Sequence, residues 1–174
     1  ELLARVPFTE DRYSKAGENR LMLAGMDVEN WIRNKLVDIL VMTFGTNNFN
    51  QQVEPWKSLC RENSVLFYPC IELSSATNAP DGSVAKETPD VIMGQQRAMA
   101  QNFLAQDVDG IYMFNYPCLL FETKWDQKVF TKIAGILSEV GAIETLKAKP
   151  KQYTFWEDMP ISIESNRPPQ YHQT

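Results

Sequence analysis

Four short apolar runs punctuate the chain: residues 2–8 "LLARVPF", 37–44 "VDILVMTF", 65–72 "VLFYPCIE" and 109–116 "DGIYMFNY". The last three are near-continuous rather than alternating, the pattern of strands covered on both faces, as in parallel sheets. Arg5 and Pro7 interrupt the first run, and Pro7 suits a strand end. Helical patterns lie between the runs. In "DVENWIRNKL" (27–36), Val28, Trp31, Ile32 and Leu36 share one face and Asp27 is the expected N-cap. In "QQVEPWKSLCREN" (51–63), Val53, Trp56, Leu59 and Cys60 share a face, with Pro55 in the first turn. Residues 88–106 open with Thr88, Pro89 and Asp90, as a capped helix should, and carry Ile92, Met99 and Phe103 as a stripe. Residues 126–141 turn Val129, Phe130, Ile133, Ile136, Leu137 and Val140 inward, with Gly141 as the stop.

Strand and helix thus alternate four times, which implies βαβ units and a parallel sheet in an α/β fold. Half of a (β/α)8 barrel and an open doubly wound sheet both fit, and both bind ligands at the carboxyl ends of their strands. No Gly-x-Gly-x-x-Gly or Gly-x-x-x-x-Gly-Lys follows a strand, which disfavours nucleotide binding. Two junctions share wording, "NKLVDILVMTF" and "QDVDGIYMFNY". They put Asp38 and Asp109 near strand starts, where turn or cap hydrogen bonds are expected. After Lys147 the texture becomes proline-rich. The division expected is residues 1–149 as core and 150–174 as a linker or extension, with His172 solvated in it.

Composition narrows the function. The 174 residues suit one ordinary domain, able to bury roughly 70% of its unfolded surface. A formal charge of −5 with one His offers no electrostatic footprint for nucleic acid or an acidic membrane. No apolar run reaches the roughly 18 residues of a membrane span. Cys60, Cys70 and Cys118 form no CxxC pair and read as buried thiols, not as a disulfide framework or zinc site. Neither metal nor cofactor is expected. The chain opens on Glu1 and Leu2–Phe8 already reads as structure, so it is expected to belong to a longer protein.

The segments after the strands carry the candidate chemistry. They supply Glu10, Asp11 and Arg12; then "GTNNFN" with Asn47 and Asn48; then Glu72; then Asn115, Tyr116, Glu122 and Trp125. Amides and carboxylates hydrogen-bond polyols as donors and acceptors, and aromatic faces cover sugar C–H faces. With no His and almost no Lys or Arg, apart from Arg12 and the more remote Lys86 and Lys124, the set fits a neutral carbohydrate better than phosphate, metal or serine-hydrolase chemistry. Turn chemistry alone also accounts for the Gly and Asn of "GTNNFN". Glu72 is sharper, because a carboxylate ending a core strand is either paired or presented to a ligand.

"GMDVENWIRNKLVDILV", "RVPFTEDRY" and "QQRAMAQNFLAQDVDGIYMFNY" together resemble a group of bacterial glycoside-hydrolase-like (β/α)8 proteins, the family-10-glycosylhydrolase-like group. The likeness spans residues 2–150 and includes Arg97, Ala100 and Asp109 to Tyr116. It implies the carboxyl-terminal half of a TIM barrel, strands five to eight, with a carboxyl-terminal extension. Glu72 would then end strand seven, the nucleophile position of retaining glycosidases, and the acid/base carboxylate would lie upstream. Asn47, Asn48, Asn115, Tyr116 and Glu122 would bind the sugar and Trp125 would stack on it. The resemblance also implies a periplasmic or extracellular protein. A four-stranded half leaves two sheet edges open, so the missing half or a second copy is an expected partner. Two other readings stand beside the hydrolase: a non-catalytic carbohydrate-binding barrel, and an unrelated open α/β domain for a small ligand.

Overall fold

The computed structural model describes residues 2–7, 20–43, 53–54, 56–72, 89–114 and 127–153. Each apolar run forms a strand: β1 (Leu3–Pro7), β2 (Ile39–Thr43), β3 (Leu66–Glu72) and β4 (Tyr112–Phe114). The helices are α1 (Arg20–Leu23), α2 (Val28–Arg33), α3 (Trp56–Glu62), α4 (Pro89–Leu104), α5 (Gln127–Ala134), which runs into a 3₁₀ turn (Gly135–Ser138), and α6 (Ile143–Leu146). The strands pair in parallel, in the order β1-β2-β3-β4. An open doubly wound sheet reverses direction at a switch point, and the described strands have no such reversal.

With crossovers all stepping one way, right-handed connections put successive helices on one face of the sheet. Burial agrees. Ala4, Val6, Leu40, Met42, Phe67, Ile71 and Met113 share one parity of the register, and all pack into one core with Val28, Ile32, Trp56, Leu59, Ile92, Phe103, Ile133 and Ile136.

The helices stop by a repeated device. Gly25, Lys35, Ser64 and Asp107 all take positive φ, 78°, 52°, 57° and 58°. After α2, Lys35 N donates to Ile32 O at 3.0 Å and Leu36 N to Trp31 O at 2.8 Å; after α3, Ser64 N donates to Arg61 O and Val65 N to Cys60 O. These are Schellman closures, here without glycine. Asp27 caps α2 as expected, its side chain accepting from Asn30 N. The stop at Lys35 also overturns one expectation. Leu36 leaves the helix before it can join the inward face and stands 53% exposed.

The Val-Asp junctions clasp the preceding strand. Asp38 Oδ2 accepts from Leu2 N at 2.7 Å, and Asp38 N donates to Leu2 O. Asp109 does the same two units on, accepting from Phe67 N at 2.9 Å and donating to Phe67 O. These bonds also fix which way β3 points its donors. Leu66 N donates toward β2, to Asp38 O, and Phe67 N toward β4. Alternation therefore aims position 69 toward β4, and Pro69 has no N–H to give. The β3–β4 ladder accordingly begins only at Cys70, paired with Tyr112, although the apolar run starts at Asp109.

Helix α4 is buried well beyond its expected stripe. Gln95, Gln96 and Arg97 are buried along with Ile92, Met99 and Phe103. The cause is the segment after α6, which runs along α4: Gln152 N donates to Gly94 O at 3.1 Å, and Arg97 Nη1 reaches Pro150 O. At Gly94 a Cβ would come within 3.1 Å of the Gln152 Cβ. Arg97 makes a two-pronged contact with Glu139, at 2.6 and 3.1 Å, and Lys149 approaches the same carboxylate at 3.3 Å. Hydrogen bonding to Arg97 holds the Glu139 carboxyl below its usual range, against the opposing effect of burial, with Lys149 adding to it. Residues 126–141 do not form one continuous helix. The 3₁₀ turn from Gly135 tightens the winding, so Ile136 is buried while Leu137 is 51% exposed, and the α-helix ends before Gly141. Val129, Phe130, Pro55 and Thr88 lie outside the described side chains.

Candidate functional site

The second face of the sheet bears the candidate site. Register arranges it in rows from the amino to the carboxyl ends of the strands. The lowest row is Leu3, Ile39 and Leu66, and its two leucines are 42% and 43% exposed. Arg5, Val41 and Tyr68 form the next. Val41 is fully buried, and the Tyr68 ring lies so close to Gly110 that a Cβ there would sit 2.9 Å from its Cζ. The third row is Pro7, Thr43, Cys70 and Tyr112. Cys70 is buried, and Thr43 Oγ1 is buried with no hydrogen-bond partner among the described residues. The top row is Glu72 beside Phe114.

This face is concave. Arg5 is level with Tyr68 and Phe114 with Glu72, four positions further along β3. On a flat sheet they would lie about 14 Å apart across three strand spacings and about 13 Å apart along the strands. Yet the Arg5 guanidinium carbon is 3.5 Å from the centroid of the Phe114 ring. Only a sheet bent toward this face brings the edge strands' side chains together. The contact is a cation–π stack, with the planar guanidinium held on the ring.

Of the residues expected to act on a ligand, Glu72 ends β3 at the carboxyl edge of the sheet, with its backbone registered to Phe114; its side chain is outside the described set. Asn47, Asn48, Asn115, Tyr116, Glu122 and Trp125 lie outside the described residues, as do Glu10, Asp11, Arg12, Lys86, Lys124, Cys118 and His172. What the sequence reading missed is Arg5, treated only as an interruption of a strand. It adds a cation to a face expected to have almost none. The signal was available: Arg5 alternates with Ala4 and Val6, both of which face the helices. Thr43 and Phe114, at the strand ends, follow from the same alternation.

Cys60 belongs to the helix side. Burial, helped by the Asp109 carboxylate, pushes its thiol up to about 12, so it stays protonated and unreactive near neutral pH. Among the described residues no cluster of three His, Cys, Asp or Glu could hold a metal, and no helix is long and apolar enough to cross a membrane. The chain matches no model of a known protein family and no curated protein.

Proposed function

We propose that the chain is the carboxyl-terminal half of a (β/α)8 barrel of glycoside-hydrolase type, with Glu72 as nucleophile or general base toward a polysaccharide or glycan. The observation that carries this reading is the place of Glu72, which ends the third of four sequentially ordered parallel strands at the edge where such barrels do their chemistry. Helices on one face and a bend toward the other support the half-barrel. Tyr112, Phe114 and the unpartnered Thr43 hydroxyl offer apolar and polar contacts of the kind a sugar ring needs. Asn47, Asn48, Asn115, Tyr116 and Glu122 would bind hydroxyls, and Trp125 would stack. Hydrolysis needs a second carboxylate, about 5–5.5 Å away for retention and further for inversion. The resemblance puts it on an upstream strand, in a periplasmic or extracellular protein. In the expected full-length polypeptide, Glu72→Gln abolishes release of reducing ends while oligosaccharide binding by calorimetry persists. Wild-type turnover by that variant would overturn the assignment.

A non-catalytic carbohydrate-binding barrel is the second reading. It is favoured by one observation: of the four residues that end the described strands, Pro7, Thr43, Glu72 and Phe114, only one is a carboxylate. Binding without hydrolysis by the unsubstituted polypeptide decides for it.

A further inference from the structure

We infer that a second copy of this chain closes the concave face, with β4 of each copy lying parallel to β1 of the other in an eight-stranded barrel. Exposure points to a missing cover. All-parallel sheets occur almost only with both faces covered. Here the helices seal one face, while Leu3 and Leu66, at the amino ends of the strands on the other, stand 42% and 43% exposed on either side of Ile39. Stagger indicates the shape of that cover. Arg5 is level with Tyr68, yet it touches the ring of Phe114, four positions further along. Four positions over the three steps from β1 to β4 is close to one per step, the stagger of a barrel with about eight strands and a shear of about eight. Four strands with this bend and stagger make half of such a barrel. The edge strands of the described sheet, β1 and β4, point the same way. A twofold along the barrel axis therefore brings β4 of each copy beside β1 of the other in parallel, and both edges close at once.

The inward residues also suit their own kind. With that stagger, residues at one height come from alternate strands, two register positions apart. Leu3 then shares a layer with Tyr68, and Val41 shares the next with Tyr112. Two copies fill each layer with four side chains, Leu-Tyr-Leu-Tyr in one and Val-Tyr-Val-Tyr in the other. Smaller and larger residues alternate around each ring, as close packing of a barrel interior requires. Arg5 belongs to the layer above and leans onto the Phe114 ring of its own copy, so the two cations sit on opposite sides of the axis. In the full-length polypeptide the same face is the seam with the upstream half. The inference thus rests on the half-barrel reading and adds what the 174-residue chain does with that surface.

Sedimentation equilibrium of the 174-residue chain tests it. The expected result is a dimer in the micromolar range, at twice the 19.9 kDa of one chain. Leu66→Lys puts a charge on the apolar floor and weakens the association about tenfold or more. Leu3→Lys, in the same row, serves if Leu66→Lys loses its circular-dichroism signal. Leu137→Lys, 51% exposed on the helix side, leaves the association unchanged. A cross-link locates the seam. In the twofold barrel Tyr112 of one copy is level with Leu3 of the other on the neighbouring strand, about 4.8 Å away, a separation a disulfide spans. Within one copy the two positions lie on opposite edge strands. Oxidised glutathione therefore converts the double variant Leu3→Cys, Tyr112→Cys to a covalent dimer. A chain that stays monomeric throughout the micromolar range overturns the inference. So does a dimer that Leu137→Lys weakens as much as Leu66→Lys, or one that the cysteine pair does not lock. The proposed function fails separately: hydrolysis that survives Glu72→Gln removes the catalytic role and leaves the closure standing, while a monomeric chain removes the closure and leaves Glu72 to be judged in the full-length polypeptide.

Discussion

On the helix side of the sheet, Leu40, Met42, Phe67 and Ile71 are each no more than 1% exposed and belong to one core. On the concave side, one residue away along the same strands, Val41 and Cys70 alone are closed off among the described side chains. Around them lie half-exposed leucines below, and a tyrosine, a threonine with an unanswered hydroxyl and a stacked cation above. The same four strands thus present a face closed by apolar packing and a face on which polar side chains gather. Burying a polar atom without a partner costs stability, and the concave face carries that cost where ligands bind in parallel sheets.

The contrast can be broken most directly by truncation. Phe67→Ala opens a cavity in the helix-side core and lowers stability by about 4 kcal/mol in urea unfolding. Phe114→Ala, half-buried on the concave side, costs about 2 kcal/mol or less. Equal losses would erase the distinction. The next largest effect probes the outer layer of the helix side. Glu139→Gln leaves Arg97 buried without its counter-ion and costs about 3 kcal/mol at neutral pH. The Glu139 carboxyl is held below its ordinary value, so its stabilising contribution is complete above the usual carboxylate range and drains away as pH falls through the depressed value. The gap between wild type and Glu139→Gln in thermal unfolding should therefore narrow in acid. A gap independent of pH would mean that the pair contributes only by packing. The smallest effect has the opposite sign. Thr43→Val removes the buried, unpartnered hydroxyl and gains about 1 kcal/mol, a rise of about 2–4 °C in Tm. A loss instead would mean that the hydroxyl already works for the fold.

Much of the helix side was legible because it rests on local chemistry. Three near-continuous apolar runs announced doubly covered parallel strands. Asp27 announced a cap, and the Val-Asp pairs announced the clasps of Asp38 and Asp109. The errors came where a helix closes or rewinds without a mark in the sequence, or where a distant segment intervenes. Leu36 was assigned to a helical face, but Lys35 closes the helix with a left-handed residue that no glycine marks. Leu137 fits an α-helical stripe, yet the winding tightens at Gly135. Helix α4 looked one-sided, because nothing in residues 88–106 tells that residues 150–152 will cover its far side. On the concave face, Glu72 stood out as a carboxylate ending an apolar run. Arg5 did not, because its meaning depends on a curvature that joins the first strand to the fourth.

Pro69 sits in an interior strand with its donor-less side toward β4. As a joint between mechanical parts, the described β3–β4 seam is riveted by hydrogen bonds at two places: the Asp109 clasp at its foot and the short ladder from Cys70 upward. Between the rivets there is a missing rung. Local opening, read as fast amide exchange, should begin at this seam, while the β1–β2 and β2–β3 joints stay shut. Phe114 and Glu72 are paired at the head of the described seam, so breathing at that one joint would shift these two backbone positions together.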